Sequence, residues 1–269
     1  VRALEQAHHE VLVASVPWGD EGESISALLL TLDVFNQARR GRPWSVAWCA
    51  GAGVVATPEN TLAAEVRVFD RVMAALAASV GPEEDGVVFL ASSAGGVYAG
   101  ATGAPFDEWT DPAPLVPYGR AKLAMEKAVH QVASQTGVRA AIGRLANVYG
   151  PGQTLSKPQG LLSQLCLADA TGRPLPVYVS IDTIRDYLYV EDAATMIVRC
   201  LDLIREESRG TVVTKVLSSG RPVTVGHLIS EARRVFHRPL RTIPVGGAGT
   251  GQVLDLRLAS RVWPDVDAL

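Results

Sequence analysis

Four short apolar runs, separated by longer helical patterns, set the strongest limit on how this chain can fold. The runs are Glu10 to Val16, Trp44 to Cys49, Val87 to Ser92 and Val138 to Leu145. Helical periodicity occupies about 24–39, 59–79 and 118–135. Strands that alternate with helices predict βαβ units and a parallel sheet. Val87-Val88-Phe89-Leu90 has no polar position, which suits a strand covered on both faces. Pro117 fits the first turn of a helix, where its missing N–H is not needed.

Beyond residue 150 the texture changes. Pro151, Pro158, Pro174, Pro176, Pro222, Pro239 and Pro244 break the chain into shorter elements, with helices expected near 158–171, 191–206 and 224–236. The expectation is an α/β protein with a doubly wound parallel sheet in 1–150. A smaller α+β lobe for substrate occupies 151–269, with some of its segments returning to the sheet. Val1 to His8 reads as the end of a helix leading into a strand at 10–16. Doubly wound sheets usually open with a strand and a Gly-rich turn that cradles a pyrophosphate. Neither precedes Glu10, and Gly51-Ala52-Gly53 lacks the G-x-x-G spacing into a helix. Either the sequence lacks its natural beginning or the phosphate cradle is degenerate.

Composition narrows the function. The 269 residues carry a net charge of −3 with a pI of about 6.0, and both signs are scattered. No basic stripe points to nucleic acid, and no polybasic segment points to a membrane surface. The longest apolar stretches, such as Ile25 to Val34, are too short to span a bilayer. Cys49, Cys166 and Cys200 are far apart among apolar neighbours and read as reduced core thiols of a cytoplasmic protein. The histidines lack ligand spacing, so no metal site is expected.

Chemistry concentrates at Tyr118 and Lys122. Four residues apart, they share a helix face one turn from each other. A phenol ionises near pH 10, so a lone tyrosine is a poor base at neutrality. A nearby ammonium favours the phenolate, and a tyrosine tuned this way can move a proton on and off a hydroxyl. The chain has only four lysines, at 122, 127, 157 and 215, which makes a chance Tyr-x-x-x-Lys uncommon. The plainer alternative is a solvated lysine beside a half-buried tyrosine. Upstream, Leu90-Ala91-Ser92-Ser93-Ala94-Gly95-Gly96-Val97-Tyr98 ends a strand in two serines and a glycine turn. A hydroxyl at the carboxyl end of a parallel strand points into the ligand crevice, although Ser and Gly also serve ordinary turns.

Two later segments complete the pattern. They are Gly143-Arg144-Leu145-Ala146-Asn147-Val148-Tyr149-Gly150-Pro151-Gly152-Gln153 and Ile184-Arg185-Asp186-Tyr187-Leu188-Tyr189-Val190-Glu191-Asp192. In this order the four segments resemble the extended short-chain dehydrogenase/reductase family, in its nucleotide-sugar epimerase/dehydratase branch. The resemblance runs from about residue 10 to 260 and implies a Rossmann-like fold with NAD or NADP as cofactor. It implies Tyr118 as acid/base, Lys122 on the nicotinamide ribose, and Ser93 or Ser92 on the substrate oxygen. Ala50 and Gly51 would line the cofactor crevice, with Val148 near the nicotinamide. Asn147 and Arg185 would hold the diphosphate of a nucleotide-sugar substrate, a role suited to a guanidinium. A homodimer through helices 59–79 and 118–135 is implied as well, because those helices carry apolar faces beyond what the sheet needs.

The sequence also departs from that pattern. The family's usual Ser or Thr falls at Ala94, with Ser93 one residue earlier. No acidic residue ends the run at 10–16, which leaves NAD and NADP both open. The branch's 4,6-dehydratases resemble Thr-Asp-Glu where this chain has Ala94-Gly95-Gly96, so epimerisation or keto reduction is expected over dehydration. A non-catalytic dimeric relative, acting in binding or scaffolding after losing its dinucleotide, is the alternative from another class.

Overall fold

Alternation along the strands decides the layering. In the computed structural model, which describes residues 1–155, 160–236, 239–245 and 253–266, Val88 and Leu90 point to one face of a central sheet. Val87 and Phe89 point to the other. Ala140 and Ile142 are divided from Ala141 in the same way. A strand whose odd and even positions both meet a helical layer has no polar face, and the run at 87–90 is the result.

The first half contains α1 (Arg2–Gln6), α2 (Glu21–Ala38), β1 (Trp44–Trp48), α3 (Glu59–Ser79), β2 (Gly86–Ser93), α4 (Ala94–Val97), α5 (Pro117–Thr136), β3 (Arg139–Leu145) and β4 (Asn147–Tyr149). There follow α6 (Leu161–Thr171), β5 (Leu175–Val177), β6 (Ile184–Arg185), β7 (Tyr187–Tyr189), α7 (Val190–Glu206) and β8 (Val212–Leu217). The chain closes with β9 (Val223–Thr224), α8 (Val225–Val235), β10 (Thr242–Pro244), β11 (Asp255–Leu256) and a 3-10 turn at Pro264–Val266. The central sheet is parallel in the order β1-β2-β3-β8, so a strand from the second half returns to its edge.

Helices α2, α3 and α5 cover one face, where Leu28, Leu32, Phe69, Met73, Met125 and Val129 meet Trp44, Trp48, Val88 and Leu90. Trp48 stacks edge-on against Phe69 at 4.9 Å, a favoured aromatic geometry. Helix α7 covers the other face with Ala193, Met196, Cys200, Leu201 and Ile204. A separate cluster joins α6, β5 and α8 through Leu165, Leu175, Val177 and Ile229.

Three expectations are corrected. Residues 10–16 are not a strand; they run extended without pairing to β1, although Ala14 and Val16 pack on the core. An extended segment becomes a strand only when its backbone groups find a ladder, and among the described residues this one finds none. Only Cys200 is a buried thiol, pushed up to about 12 by that burial, whereas Cys49 and Cys166 are exposed. Helices α3 and α5 expose no large apolar side chain among the described residues, because the sheet and α2 take up their apolar stripes. The helix expected over 158–171 is seen as α6, and positions 158–159 lie outside the described residues. No described helix is long and apolar enough to cross a membrane.

One polar cluster lies inside this apolar frame. Arg144 of β3 donates to Glu126 of α5 through two nitrogens, at 3.1 and 2.7 Å. Ser92 of β2 donates to the same carboxylate at 2.5 Å, and Arg144 also donates to the Tyr98 hydroxyl at 2.7 Å. The Arg144 and Glu126 side chains are only 8% and 7% exposed. Removing one partner of such a pair strands the other charge. Glu126→Ala is therefore expected to cost about 3–5 kcal/mol, read as a lower urea midpoint by circular dichroism. An unchanged midpoint would show that the pair does not hold α5 to the sheet.

Candidate active site

The carboxyl ends of the four parallel strands gather most of the singled-out residues. β1 ends before Ala50 and Gly51, β2 at Ser93, β3 two residues before Asn147, and β8 two before Ser219. Ser93 and Leu145 are register partners, so Asn147 follows directly beside the Ser93 end. Ligand crevices of open parallel sheets lie at this edge.

Helix α5 brings Tyr118 to the edge, and the seating depends on glycine. A Cβ on Gly119 would fall 2.1 Å from the carbonyl oxygen of Gly96, so only glycine lets α5 approach α4 this closely. A Cβ at Gly96 would lie 3.1 Å from the Tyr118 ring and 3.3 Å from the Ser93 hydroxyl oxygen. Ser93 and the phenol thus flank the same point of Gly96, and the Ser93 Oγ accepts from the Gly96 N–H at 3.1 Å. Ala94 is fully buried in a small apolar cluster with Val97, Tyr98 and Phe106. The oxygen beside the phenol therefore comes from Ser93, one residue before the position where the family pattern places its hydroxyl. Ser92, on the opposite pleat, points away into the Glu126–Arg144 pair.

Lys122 is buried one turn along α5, with Nζ 5.7 Å from the Tyr118 ring centroid. Among the described residues its one hydrogen bond goes to the Ala91 carbonyl at 3.4 Å, long for an ammonium with three donors. Burial lowers its pKa, while Glu65, Cys49 and Glu126 work against that fall. The phenol departs from expectation. Burial raises the Tyr118 pKa; the Ser93 contact opposes the rise and Glu65 adds to it. Ala50 packs partly against the core and Gly51 is exposed at the crevice. Val148, in β4, rests on the cluster beneath α7.

Asn147 and Arg185 form a second group. Asn147 Nδ2 donates to the Asp186 carbonyl at 3.0 Å, and Arg185 Nη1 reaches Asn147 Oδ1 at 3.5 Å. Arg185 makes no ion pair with the Asp186 next to it. That carboxylate accepts instead from Ser219 N (2.7 Å), Ser219 Oγ (3.1 Å) and Arg221 N (3.1 Å). Burial lowers the Arg185 pKa, and Tyr187 partly counters it. A partly buried guanidinium with no carboxylate within reach among the described residues is suited to an incoming anion.

Sequence reasoning missed Asp186 and Ser219, which tie this platform to the end of β8. It also missed Glu65, a buried carboxylate on α3 beside the Gly51–Gly53 turn. A signal for Glu65 was present: it sits on the same helix face as Leu62, Val68, Phe69 and Val72, where an apolar side chain is the norm. Among the described residues no group of three or more His, Cys, Asp or Glu side chains could hold a metal ion.

The chain is similar to several known proteins. The chain is 28% identical over 142 residues to the dTDP-4-dehydro-6-deoxyglucose reductase of Escherichia coli, covering 53% of this chain and 43% of that protein. It is 32% identical over 179 residues to the UDP-glucose 4-epimerase of Rhizobium meliloti, covering 62% and 52%. The chain thus spans about half the length of these curated relatives. Among solved structures, MoeE5 in complex with UDP-glucuronic acid and NAD matches with a TM-score of 0.71 at 26% identity, over 87% of this chain and 76% of that one. The model of the NAD dependent epimerase/dehydratase family matches residues 1–216, and the chain belongs to that family.

Proposed function

We propose that this chain performs NAD(P)-dependent hydride and proton transfer at a sugar carbinol of a nucleotide-diphosphate sugar, as an epimerase or a ketoreductase. One observation carries the reading: Ser93, Tyr118 and Lys122 converge at the strand ends, and Arg185, beside Asn147, has no carboxylate partner among the described residues. The relatives support it, since one is a reductase, another an epimerase, and MoeE5 was solved with UDP-glucuronic acid and NAD.

The residues present fit a dinucleotide at its nicotinamide end. Lys122 holds ammonium donors that the Ala91 carbonyl does not use, and a ribose diol can accept them. Ala50, Gly51 and Val148 offer small or apolar contacts along the same edge. When bound, the nicotinamide supplies the hydride acceptor and donor. Tyr118 takes the hydroxyl proton of the substrate and returns it to the ketone oxygen, while Ser93 donates a hydrogen bond to that oxygen. Lys122 stabilises the phenolate electrostatically. Asn147 and Arg185 hold the diphosphate and so position the sugar. In this proposal residues 1–150 bind the dinucleotide and 151–269 contribute most of the substrate contacts. Dehydration is disfavoured because Ala94-Gly95-Gly96 supplies no acid or base.

A homodimer through α3 and α5 belongs to the proposal. The outward positions Ala63, Arg67, Asp70, Ala124 and Lys127 are small or charged with both signs, which a two-fold copy can match. Sedimentation equilibrium checks it: a mass twice 28.5 kDa is expected, and a monomer at all concentrations contradicts it.

Tyr118→Phe is expected to lower turnover at least about 10²-fold while leaving sugar-nucleotide affinity nearly unchanged. Equal turnover in the mutant removes Tyr118 from the chemistry. Arg185→Ala is expected to weaken UDP- or dTDP-sugar binding roughly 10–100-fold, the value of charge-assisted bonds to a diphosphate. Unchanged affinity in calorimetry places the diphosphate elsewhere.

A further inference from the structure

Glu65 is 7% exposed on the inward face of α3, yet it has no cationic hydrogen-bond partner among the described residues. Its Oε2 accepts from two consecutive backbone groups, Ala52 N–H at 3.1 Å and Gly53 N–H at 2.8 Å. Consecutive N–H groups that converge on one oxygen form a small anion cradle, and here the protein's own carboxylate fills it. The two glycines make room for this. A Cβ on Gly51 would sit 2.6 Å from Glu65 Oε1, and one on Gly53 would sit 3.0 Å from Oε2 and 2.5 Å from Leu62 Cδ2. The Gly-Ala-Gly sequence after β1 thus serves a buried glutamate rather than a phosphate.

From beside this turn the same carboxylate lies within electrostatic range of the reacting pair. Lys122 is influenced by Glu65 from α3, by Cys49 from the end of β1 and by Glu126 from its own helix. Tyr118 is influenced by Glu65 and by Ser93 at the end of β2. The other charges nearby are engaged elsewhere. Glu126 pairs with Arg144, Arg67 with Glu21 on the outer side of α3, and Arg120 with Glu59 at the surface.

We propose that Glu65 is a positioning residue of this site: it locks the Gly51–Gly53 turn at the crevice and sets the local charge that Tyr118 and Lys122 experience. The inference rests on Tyr118 and Lys122 being the reacting pair. A carboxylate near a phenol disfavours the phenolate, and near an ammonium it favours the charged form. Glu65 thus opposes the burial that lowers the Lys122 pKa, and it adds to the burial that already disfavours the Tyr118 phenolate. Tyr118 then ionises only when the crevice gains positive charge.

The test is the titration of Tyr118 itself, followed by NMR in protein labelled with 13Cζ-tyrosine and assigned with Tyr118→Phe. Glu65→Gln keeps the shape of the side chain and removes its charge, so the Tyr118 midpoint is expected to move to lower pH. An unchanged or higher midpoint overturns the proposal, because a purely structural glutamate would not shift it. A second measurement needs no variant. In the wild-type protein the Ala52 and Gly53 amides are expected to exchange with solvent at least about tenfold more slowly than an unbonded turn. Free exchange there overturns the lock. If Glu65 behaves as proposed but Tyr118→Phe retains full turnover, the oxidoreductase reading fails while the charge coupling stands.

Discussion

The site depends on one buried carboxylate, Glu126, more than on any single apolar contact. It lies on α5 one turn beyond Lys122, and it binds Arg144 of β3 and Ser92 of β2 together. Tyr118 and Lys122 ride on the same helix, so this clamp fixes their distance from the ends of both strands. A hydrophobic interface alone could slide by part of a turn, whereas a bidentate ion pair in low dielectric accepts one geometry. The Gly119–Gly96 approach completes the docking at the start of the helix. The side chain bonds of Glu126 thus register the helix, and the missing side chains of two glycines let it close.

Two carboxylates act on Lys122, one from α3 and one from its own helix, and both favour its charged form. Glu126 is neutralised by Arg144 and serves mainly to hold the helix. Among the described residues Glu65 accepts hydrogen bonds from backbone N–H groups only, so its charge remains available to the crevice. Burial pushes Lys122 toward neutrality and Tyr118 toward its protonated form, which opposes the tuning that a close ammonium implies by itself. In this account spacing along a helix sets proximity, and desolvation sets the direction of ionisation.

Much of the fold was legible because periodicity survives packing. The helix at 59–79 and the runs at 44–49, 87–92 and 138–145 match α3, β1, β2 and β3 closely, since each has a full apolar complement of its own. The segment at 10–16 failed because strand identity depends on a partner, which a local apolar run does not specify. The apolar surplus expected on α3 and α5 failed for a similar reason: α2 also packs there, and a single helix pattern does not reveal its neighbours. At the site, Tyr118, Lys122, Asn147 and Arg185 were visible through spacing and order. The split between Ser92 and Ser93 follows only from the pleat, which turns Ser92 to the buried Glu126 and leaves Ser93 at the strand end beside Tyr118. The apolar face of α3 singles out Glu65, but its partners are backbone groups 12 and 13 residues away, which no motif encodes.

The central claim is that these strand ends form a working dinucleotide and sugar-nucleotide crevice. Isothermal titration calorimetry of the chain with NAD, NADP and a panel of UDP-, dTDP- and GDP-sugars tests it most directly. Saturable binding of one dinucleotide and of at least one sugar nucleotide is expected, with dinucleotide affinity weakened by Lys122→Ala. Absence of dinucleotide binding even at millimolar concentration would contradict the account and favour a non-catalytic relative.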